Sequence, residues 1–407
     1  MTSVPKSPPR DGSLYVLPGF MDFHAEHAPN NSWVTFPSRE DPTKSASVSY
    51  QEGVEATHRV AHALRPGRTG PEQEVVAMLL NCDSIMYNAT MIGMFRAGIV
   101  PFPMSPKNSP EAVCHMLRTT KCHRVLSQPS LSALTSAVKA TLEEEGHSVQ
   151  LEELPAFHDI FPTLVSRQVN GDAHVEPYPA RNPPRGMDDL VIYIHSSGST
   201  GLPKSIPWTE RILLTWADSS IVRMSCKYQL RWAVQALPPF HSIGMVGHML
   251  VPLVSGLPVA HFTPQAPAPP VLPNPQNMIE GCRITGCNAM SAVPIFIEMW
   301  CRSPDLVDYL AGMECLTWAG GPLSASNGDM LVSKGVNLAM IYGTTEIGVV
   351  NRVMDLDFSE NPRPDCKRPE DWAWMQMDER IQPRWIDQGD GTYELQCLAR
   401  LPYVFGE

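Results

Sequence analysis

The 407-residue sequence predicts an α/β protein of two mostly parallel α/β subdomains, with a small antiparallel β region at its C-terminal end. Three observations carry this. Short apolar, β-branched runs alternate with helix-periodic segments, the pattern of parallel βαβ units. Several of those runs end in glycine-rich turns, where open α/β sheets hold their ligands. From Met377 the alternation gives way to "RIQPRWIDQGDGTYELQCLARLP", two strand-like runs about a "GDG" turn.

In chain order, residues 1–12 read as a flexible arm. "FMDFHAEHAPN" predicts a helix ending at Pro29, and "YQEGVEATHRVAHAL" another, with Val54, Val60, Ala61 and Leu64 at helical spacing. "EVVAMLLN" is a strand, "SIMYNATMIGMFRAG" a helix stopped by Gly98, and "IVPFPMSP" a second strand. "SPEAVCHMLRTTK" is a helix capped by Ser109, followed by the strand "RVLSQ". The proline-rich 169–186 reads as a connector, which places a first subdomain at 13–185 and a second at 186–376. The second opens with the strand of "DLVIYIHSSGSTG" and continues through "RWAVQALPPF" (strand, then turn), the helix "GMVGHMLVPLVSG" and the strand "LPVAHF". "NAMSAVPIFIEMW", "GMECLTWAGGPLS" and "GVNLAMIYGTTEIG" complete it, and 377–407 forms the β-rich segment.

Apolar residues make up 43% and charged residues 18%, enough core material for two or three packed units. The net charge is -11 and the 31 basic residues form no dense run, so there is no nucleic-acid footprint. No apolar run reaches the ~18 residues of a membrane span. The polar, proline-rich "MTSVPKSPPRDG" has no signal-peptide core, and the expected setting is cytoplasmic. Ten cysteines lack any CxxC pair, the nearest spacings being Cys282–Cys287 and Cys114–Cys122, which reads as reduced thiols rather than a zinc framework.

The loop after "DLVIYIH" is the chemically dense segment. Gly198 and Gly201 permit close backbone approach, and Ser196, Ser197, Ser199 and Thr200 supply hydroxyls. Successive N–H groups in such turns form anion nests, and Lys204 adds a positive charge. This suits a polyphosphate; a polar surface turn is the alternative. Pro203 ahead of Lys204 breaks the GxxxxGK[ST] pattern.

"SSGSTGLPK" resembles the phosphate-binding signature of the adenylate-forming superfamily, which includes acyl-CoA synthetases, luciferases and peptide-synthetase adenylation domains. "IYGTTEIG" is similar to its aromatic-Gly-x-Thr-Glu motif, "WAGGPLS" to its adenine-side loop and "PPFHSIGM" to its acyl-pocket segment; "MFRAGIVPFPMSPKNSP" matches after the early helix. The matches fall in order over residues 15–407. The resemblance implies ATP and Mg²⁺ as cofactors, with AMP or acyl-AMP as bound product. It implies that Ser199, Thr200 and Lys204 grip the β- and γ-phosphates, that Thr345 holds the α-phosphate and that Glu346 ligates Mg²⁺. Tyr342 is implied to lie against the adenine, with Ala319, Gly320, Gly321 and Pro322 along the base and Gly343 and Thr344 beside it. A core aromatic is the alternative for Tyr342, and ordinary turns for the glycines.

His241 follows Phe240 where amino-acid-selecting relatives place an aspartate. No acidic residue lies between Gln235 and Leu257, so an ammonium there would be unpaired. The resemblance therefore implies a non-amino acid, aryl or otherwise hydrophobic, in a pocket of Phe240, His241, Ala292, Val293, Pro294, Gly320 and Gly343; a core histidine is the alternative for His241. "IHSSGSTG", "PFPMSPKNSP" and "PRWIDQGDGTYELQ" further resemble fungal synthetase-like carboxylic acid reductases, whose downstream carrier and reductase domains use phosphopantetheine and NADPH. A stand-alone acyl-CoA ligase and a catalytically dead nucleotide- or acid-binding module stay open. The superfamily's ribose-binding aspartate motif and its lysine-bearing C-terminal domain are not found, and Asp390 reads as a hairpin residue. The chain is thus expected to be an excised large domain with impaired adenylation.

Overall fold

The computed structural model describes residues 5–165, 175–196, 201–354 and 369–398. The chain forms two compact units, Met1–Ala217 with Arg231–Cys287, and Asp218–Leu230 with Asn288–Glu407.

The first unit begins with α1 (Val16–His27), β1 (Ser32–Pro37), β2 (Ser45–Ser49) and α2 (Tyr50–Leu64). Ser49 starts α2 with a capping box: its hydroxyl accepts from the Glu52 N–H while the Glu52 carboxylate accepts from the Ser49 N–H. β3 (Val75–Leu79), α3 (Ser84–Arg96), β4 (Val100–Met104), α4 (Pro110–Thr119), β5 (Arg124–Ser127), α5 (Ser132–Glu144) and β6 (Gln150–Glu153) follow. These strands form a parallel sheet in the order β4-β3-β5-β6. Ser109 caps α4 through the Ala112 N–H, as its position before Pro110 predicts. Beneath the sheet, Phe102, Met104, Val113, Met116, Leu117, Val125 and Leu142 are buried in one core. β7 (Leu190–Ser196) and β8 (Lys204–Thr209) pair antiparallel, and β9 (Trp232–Ala233) and β10 (Val259–Ala260) run parallel beside β1.

The described part of the expected connector is bound to the first unit, and position 185 lies within that unit rather than at its edge. The Tyr178 hydroxyl donates to the Arg65 carbonyl at 2.6 Å. Arg181 pairs with Asp189 at 2.8 Å. Arg185 donates to the Phe95 carbonyl at 3.1 Å and lies over the Tyr15 and Phe95 rings. Its partner Glu210 is 2% exposed and accepts from the Val16 N–H at 2.7 Å. Burial pushes the Glu210 carboxyl up, against the opposing pull of Val16 and Arg185.

The helix expected over "GMVGHMLVPLVSG" is interrupted. α-Helical turns at Ser242–Met245 and Val251–Ser255 flank a π-helical segment, Val246–Leu250. Such wide turns carry a locally altered hydrogen-bond ladder and recur at functional sites.

The second unit is built on β11 (Ala289–Ala292), β12 (Cys315–Trp318) and β13 (Leu338–Met340), all parallel. Two antiparallel pairs follow: β14 (Gly343–Thr344) with β15 (Gly348–Val349), and β16 (Gln382–Asp387) with β17 (Tyr393–Leu398). The "GDG" turn joins β16 to β17, and Asp390 accepts from the Thr392 N–H within it, the hairpin role read from the sequence. Trp372 packs its ring 5.4 Å from that of Trp318 and donates to Asp329 at 2.9 Å.

Removing one partner from the buried Arg185–Glu210 pair leaves an uncompensated charge. Glu210→Ala is expected to lower the unfolding free energy by about 3 kcal/mol in guanidinium titrations. A double Arg185→Met, Glu210→Leu variant is expected to lose less.

Candidate active site

In the first unit, the phosphate-loop sequence is rooted in a hairpin. Ser196 and Lys204 are directly paired residues at the ends of β7 and β8, so the backbone leaves and returns at one place. Ser197, Gly198, Ser199 and Thr200 lie outside the described residues. Gly201 has φ +94, in the left-handed region. Lys204 is exposed at the start of β8.

His195, which the sequence reading passed over, ties this root to two other predicted segments. Its Nε2 accepts from the Ser105 N–H at 3.2 Å, just beyond β4 in "PFPMSP". An accepting Nε2 leaves the proton of the neutral ring on Nδ1. The ring stacks on Phe240 with centroids 6.5 Å apart and planes 13° apart. Burial, and then the neighbouring His241, push the His195 pKa down to about 4. The root of the expected phosphate loop and the Phe240–His241 turn are therefore brought together. The signal was present in the sequence: a histidine ends an apolar strand immediately before the loop.

His241 begins the short helix Ser242–Met245, and its N–H donates to the Pro238 carbonyl at 3.0 Å. Gly244 is required here, because a Cβ would collide with that same carbonyl. Solvent reaches His241, yet enough chain surrounds the ring that burial holds its pKa below the usual range. The carbonyl ahead of this turn is held from behind. His248, in the π-helical segment, donates from Nε2 to the Leu237 carbonyl at 2.7 Å. That leaves His248 Nδ1 to accept from His261 Nε2 at 2.9 Å, and His261 Nδ1 is buried with no partner. Burial pushes His248 down to about 4.

In the second unit, three predicted segments meet at one edge. Ala292 pairs with Trp318, and Trp318 with Met340, so the carboxyl ends of β11, β12 and β13 are level. Val293 and Pro294 leave β11 there; Ala319, Gly320, Gly321 and Pro322 leave β12; Tyr342 and Gly343 follow β13. A Cβ built on Gly321 would lie 3.9 Å from the Pro294 ring, which measures how close two of these turns come. Tyr342 is 42% exposed, an available face rather than a core aromatic. Thr345 and Glu346 sit in the tip between β14 and β15, Thr345 buried and Glu346 exposed. Gly343 must be glycine, since a Cβ would strike the Gly348 carbonyl across the hairpin.

Asn351, which the sequence reading missed, locks this edge. Its Oδ1 accepts from the Tyr342 N–H at 2.9 Å, and its Nδ2 donates to the Met340 carbonyl at 2.8 Å and the Arg352 carbonyl at 3.2 Å. The Ser220 hydroxyl donates to the Asn351 carbonyl at 2.6 Å. A polar residue closing the apolar run "IGVV" is its trace in the sequence. Among the described residues, no group of three or more His, Cys, Asp or Glu side chains gathers to hold a metal, and no helix is long and apolar enough to cross a membrane.

The profile of the AMP-binding enzyme family matches residues 22–376. The chain belongs to this family. Within it, the chain is 38% identical over 400 residues to the adenylate-forming reductase Nps11 of Serpula lacrymans var. lacrymans (strain S7.9), covering 96% of this chain and 35% of that protein. It is 37% identical over 403 residues to Nps9 of the same fungus, covering 97% and 35%. The chain thus spans about a third of the length of the curated relatives it matches. Among solved structures, ATP-bound MatB from Rhodopseudomonas palustris matches with TM-score 0.66 and 17% identity, over 93% of this chain and 68% of that one, a likeness of fold. The two mostly parallel α/β parts, the small antiparallel pairs and the resemblance to fungal adenylate-forming reductases are all borne out.

Two outcomes test the geometry. Asn351→Leu is expected to destabilise the second unit by about 2–3 kcal/mol, because it strands buried backbone groups; thermal unfolding reads this. The folded state keeps His248 neutral, whereas an unfolded histidine protonates near pH 6.5. Its contribution is complete above about pH 6.5 and is lost as the pH falls toward 4, roughly 3 kcal/mol in all. His248→Phe is expected to flatten that part of the stability–pH curve.

Proposed function

We propose that this chain activates a carboxylic acid with ATP, forming an acyl adenylate and releasing pyrophosphate. The observation that supports this most is the level edge of β11, β12 and β13, which gathers the adenine-side, acyl-side and Thr-Glu segments of an AMP-binding family member. The acid's carboxylate attacks the α-phosphorus, and the bond to the pyrophosphate oxygen breaks. Lys204, at the root of the phosphate loop, offsets charge on the β- and γ-phosphates, electrostatic help more than proton chemistry. Thr345 orients the α-phosphate. The residues suit Mg²⁺: Glu346 offers one exposed carboxylate at the hairpin tip, and a hard cation that keeps several waters needs no more from the protein when phosphates supply the rest. When bound, the ion neutralises charge developing on the phosphates.

The substrate reading rests on the Phe240–His241 turn. A neutral His241 carries no charge to pair with a substrate ammonium, and no acidic residue lies between Gln235 and Leu257. Phe240, Ala292, Val293 and Pro294 are apolar. A non-amino acid, aryl or otherwise hydrophobic, is the substrate class we favour. The chain's one-third share of its reductase relatives supports a parent protein in which the acyl group passes to a carrier thiol and is reduced with NADPH.

Hydroxamate formation with a panel of aryl, fatty and amino acids tests this. Aryl or fatty acids are expected to lead, and a clear preference for an amino acid would overturn the His241 reading. Lys204→Ala is expected to slow pyrophosphate exchange about a hundredfold. Glu346→Gln is expected to raise the Mg²⁺ concentration that exchange requires, and an unchanged requirement would remove Glu346 from the metal site.

A further inference from the structure

The helix Pro275–Thr285 opens on an Asn274 capping box and closes on a Schellman turn. Gly286 takes the left-handed conformation, with φ +65. The Gly286 N–H donates to the Arg283 carbonyl at 3.3 Å, and the Cys287 N–H to the Cys282 carbonyl at 3.2 Å. This turn brings together the side chains of the residue three back in the helix and the residue just past the left-handed one, a contact usually made by two hydrophobes. Here both are cysteines.

Cys282 is fully buried and Cys287 is 9% exposed. The Cys282 thiol donates toward the Cys287 carbonyl at 3.8 Å, and the Thr285 hydroxyl lies 3.4 Å from the Cys287 sulfur. Arg231 donates from Nε to the Gly286 carbonyl at 3.1 Å, which places a guanidinium beside the turn. The backbone hydrogen bond between the two cysteines and the geometry of the turn bring their side chains together, the juxtaposition that a disulfide requires. Both thiols are free in this structure.

We propose that Cys282 and Cys287 form a hydroperoxide-reactive dithiol that closes reversibly to a disulfide. The Cys287 thiolate attacks the outer oxygen of a hydroperoxide. A sulfur–oxygen bond forms, the oxygen–oxygen bond breaks, and the departing alkoxide or hydroxide takes a proton from solvent. The Cys282 sulfur then attacks the Cys287 sulfur. The disulfide forms, the sulfur–oxygen bond breaks, and the oxygen leaves as water with the Cys282 proton. In sum, two thiols and one hydroperoxide give a disulfide, an alcohol or water, and one further water.

The electrostatics of the turn agree with this assignment. The Cys282 S–H, the Thr285 hydroxyl and the Arg231 charge hold the Cys287 thiol below its ordinary pKa, against burial. At four other cysteines burial works alone or wins: it lifts Cys114 and Cys397, and pushes Cys122 and Cys301 up to about 11. Nucleophilicity follows thiolate character, so Cys287 is the attacking sulfur and its buried neighbour the resolving one.

Arg283 lies between the two cysteines, so trypsin separates them onto different peptides unless a disulfide joins them. The native chain is exposed to hydrogen peroxide, blocked with a maleimide, digested and analysed by mass spectrometry. A cross-linked pair, ending at Arg283 on one arm and beginning at Ile284 on the other, is expected to accumulate with peroxide and to vanish on reduction. Cys287→Ser is expected to abolish it. Cys282→Ser is expected to leave a Cys287 sulfenic acid that dimedone traps. A cross-link seen only after denaturation, or dimedone labelling of other cysteines ahead of Cys287, would overturn the proposal. The wild-type digestion decides the question even if a variant fails to fold.

Discussion

The site depends first on hydrogen-bond register in the second unit. β11, β12 and β13 are parallel and matched residue for residue, so Ala292, Trp318 and Met340 end level. Three segments far apart in sequence then emerge at one edge, each with a glycine or proline that forces the chain to turn. A one-residue slip in either ladder would turn one strand's side chains to the opposite face and displace its loop. Asn351 reinforces the edge where β13 runs into the Tyr342 turn, with its amide spent wholly on backbone partners.

The first unit solves a different problem, that of bringing the chain on either side of a glycine- and serine-rich segment to one place. Its answer is a hairpin closed at Ser196 and Lys204, with His195 at the root packed against Phe240 and bonded to Ser105. Behind it, His248 fixes the carbonyl ahead of the His241 turn through a wide helical segment. Three histidines near these predicted segments are kept neutral by burial. Neutral rings can orient groups by hydrogen bonding without adding charge where anionic phosphates and an acid are proposed to bind.

Much of this was legible beforehand, and the reason is local. α2 begins at Tyr50 and α4 after Ser109 because capping residues announce helix starts within three positions. β16, β17 and their "GDG" turn were readable because a hairpin is a short-range structure. What escaped notice was short or long-range. β2 carries little apolar pattern, β1 is a six-residue run whose buried Trp33, Val34 and Phe36 do not alternate regularly, and β8 is disguised by a proline and a lysine. The π-helical segment looks like ordinary helix in sequence, and within it His248 bonds a carbonyl eleven residues away.

The sequence by itself determined the alternation of strands and helices, the order of the glycine-rich motifs and the lack of an acidic partner for an ammonium. These follow from residue types and near-neighbour spacing. Only the tertiary structure decided that the three strand ends are level, that Ser196 faces Lys204, that His195 joins the loop root to the Phe240 turn, and that Cys282 and Cys287 meet across a helix end. Each of these is a matter of register or of a left-handed turn, set by backbone hydrogen bonds between residues that a linear reading has no physical means of pairing.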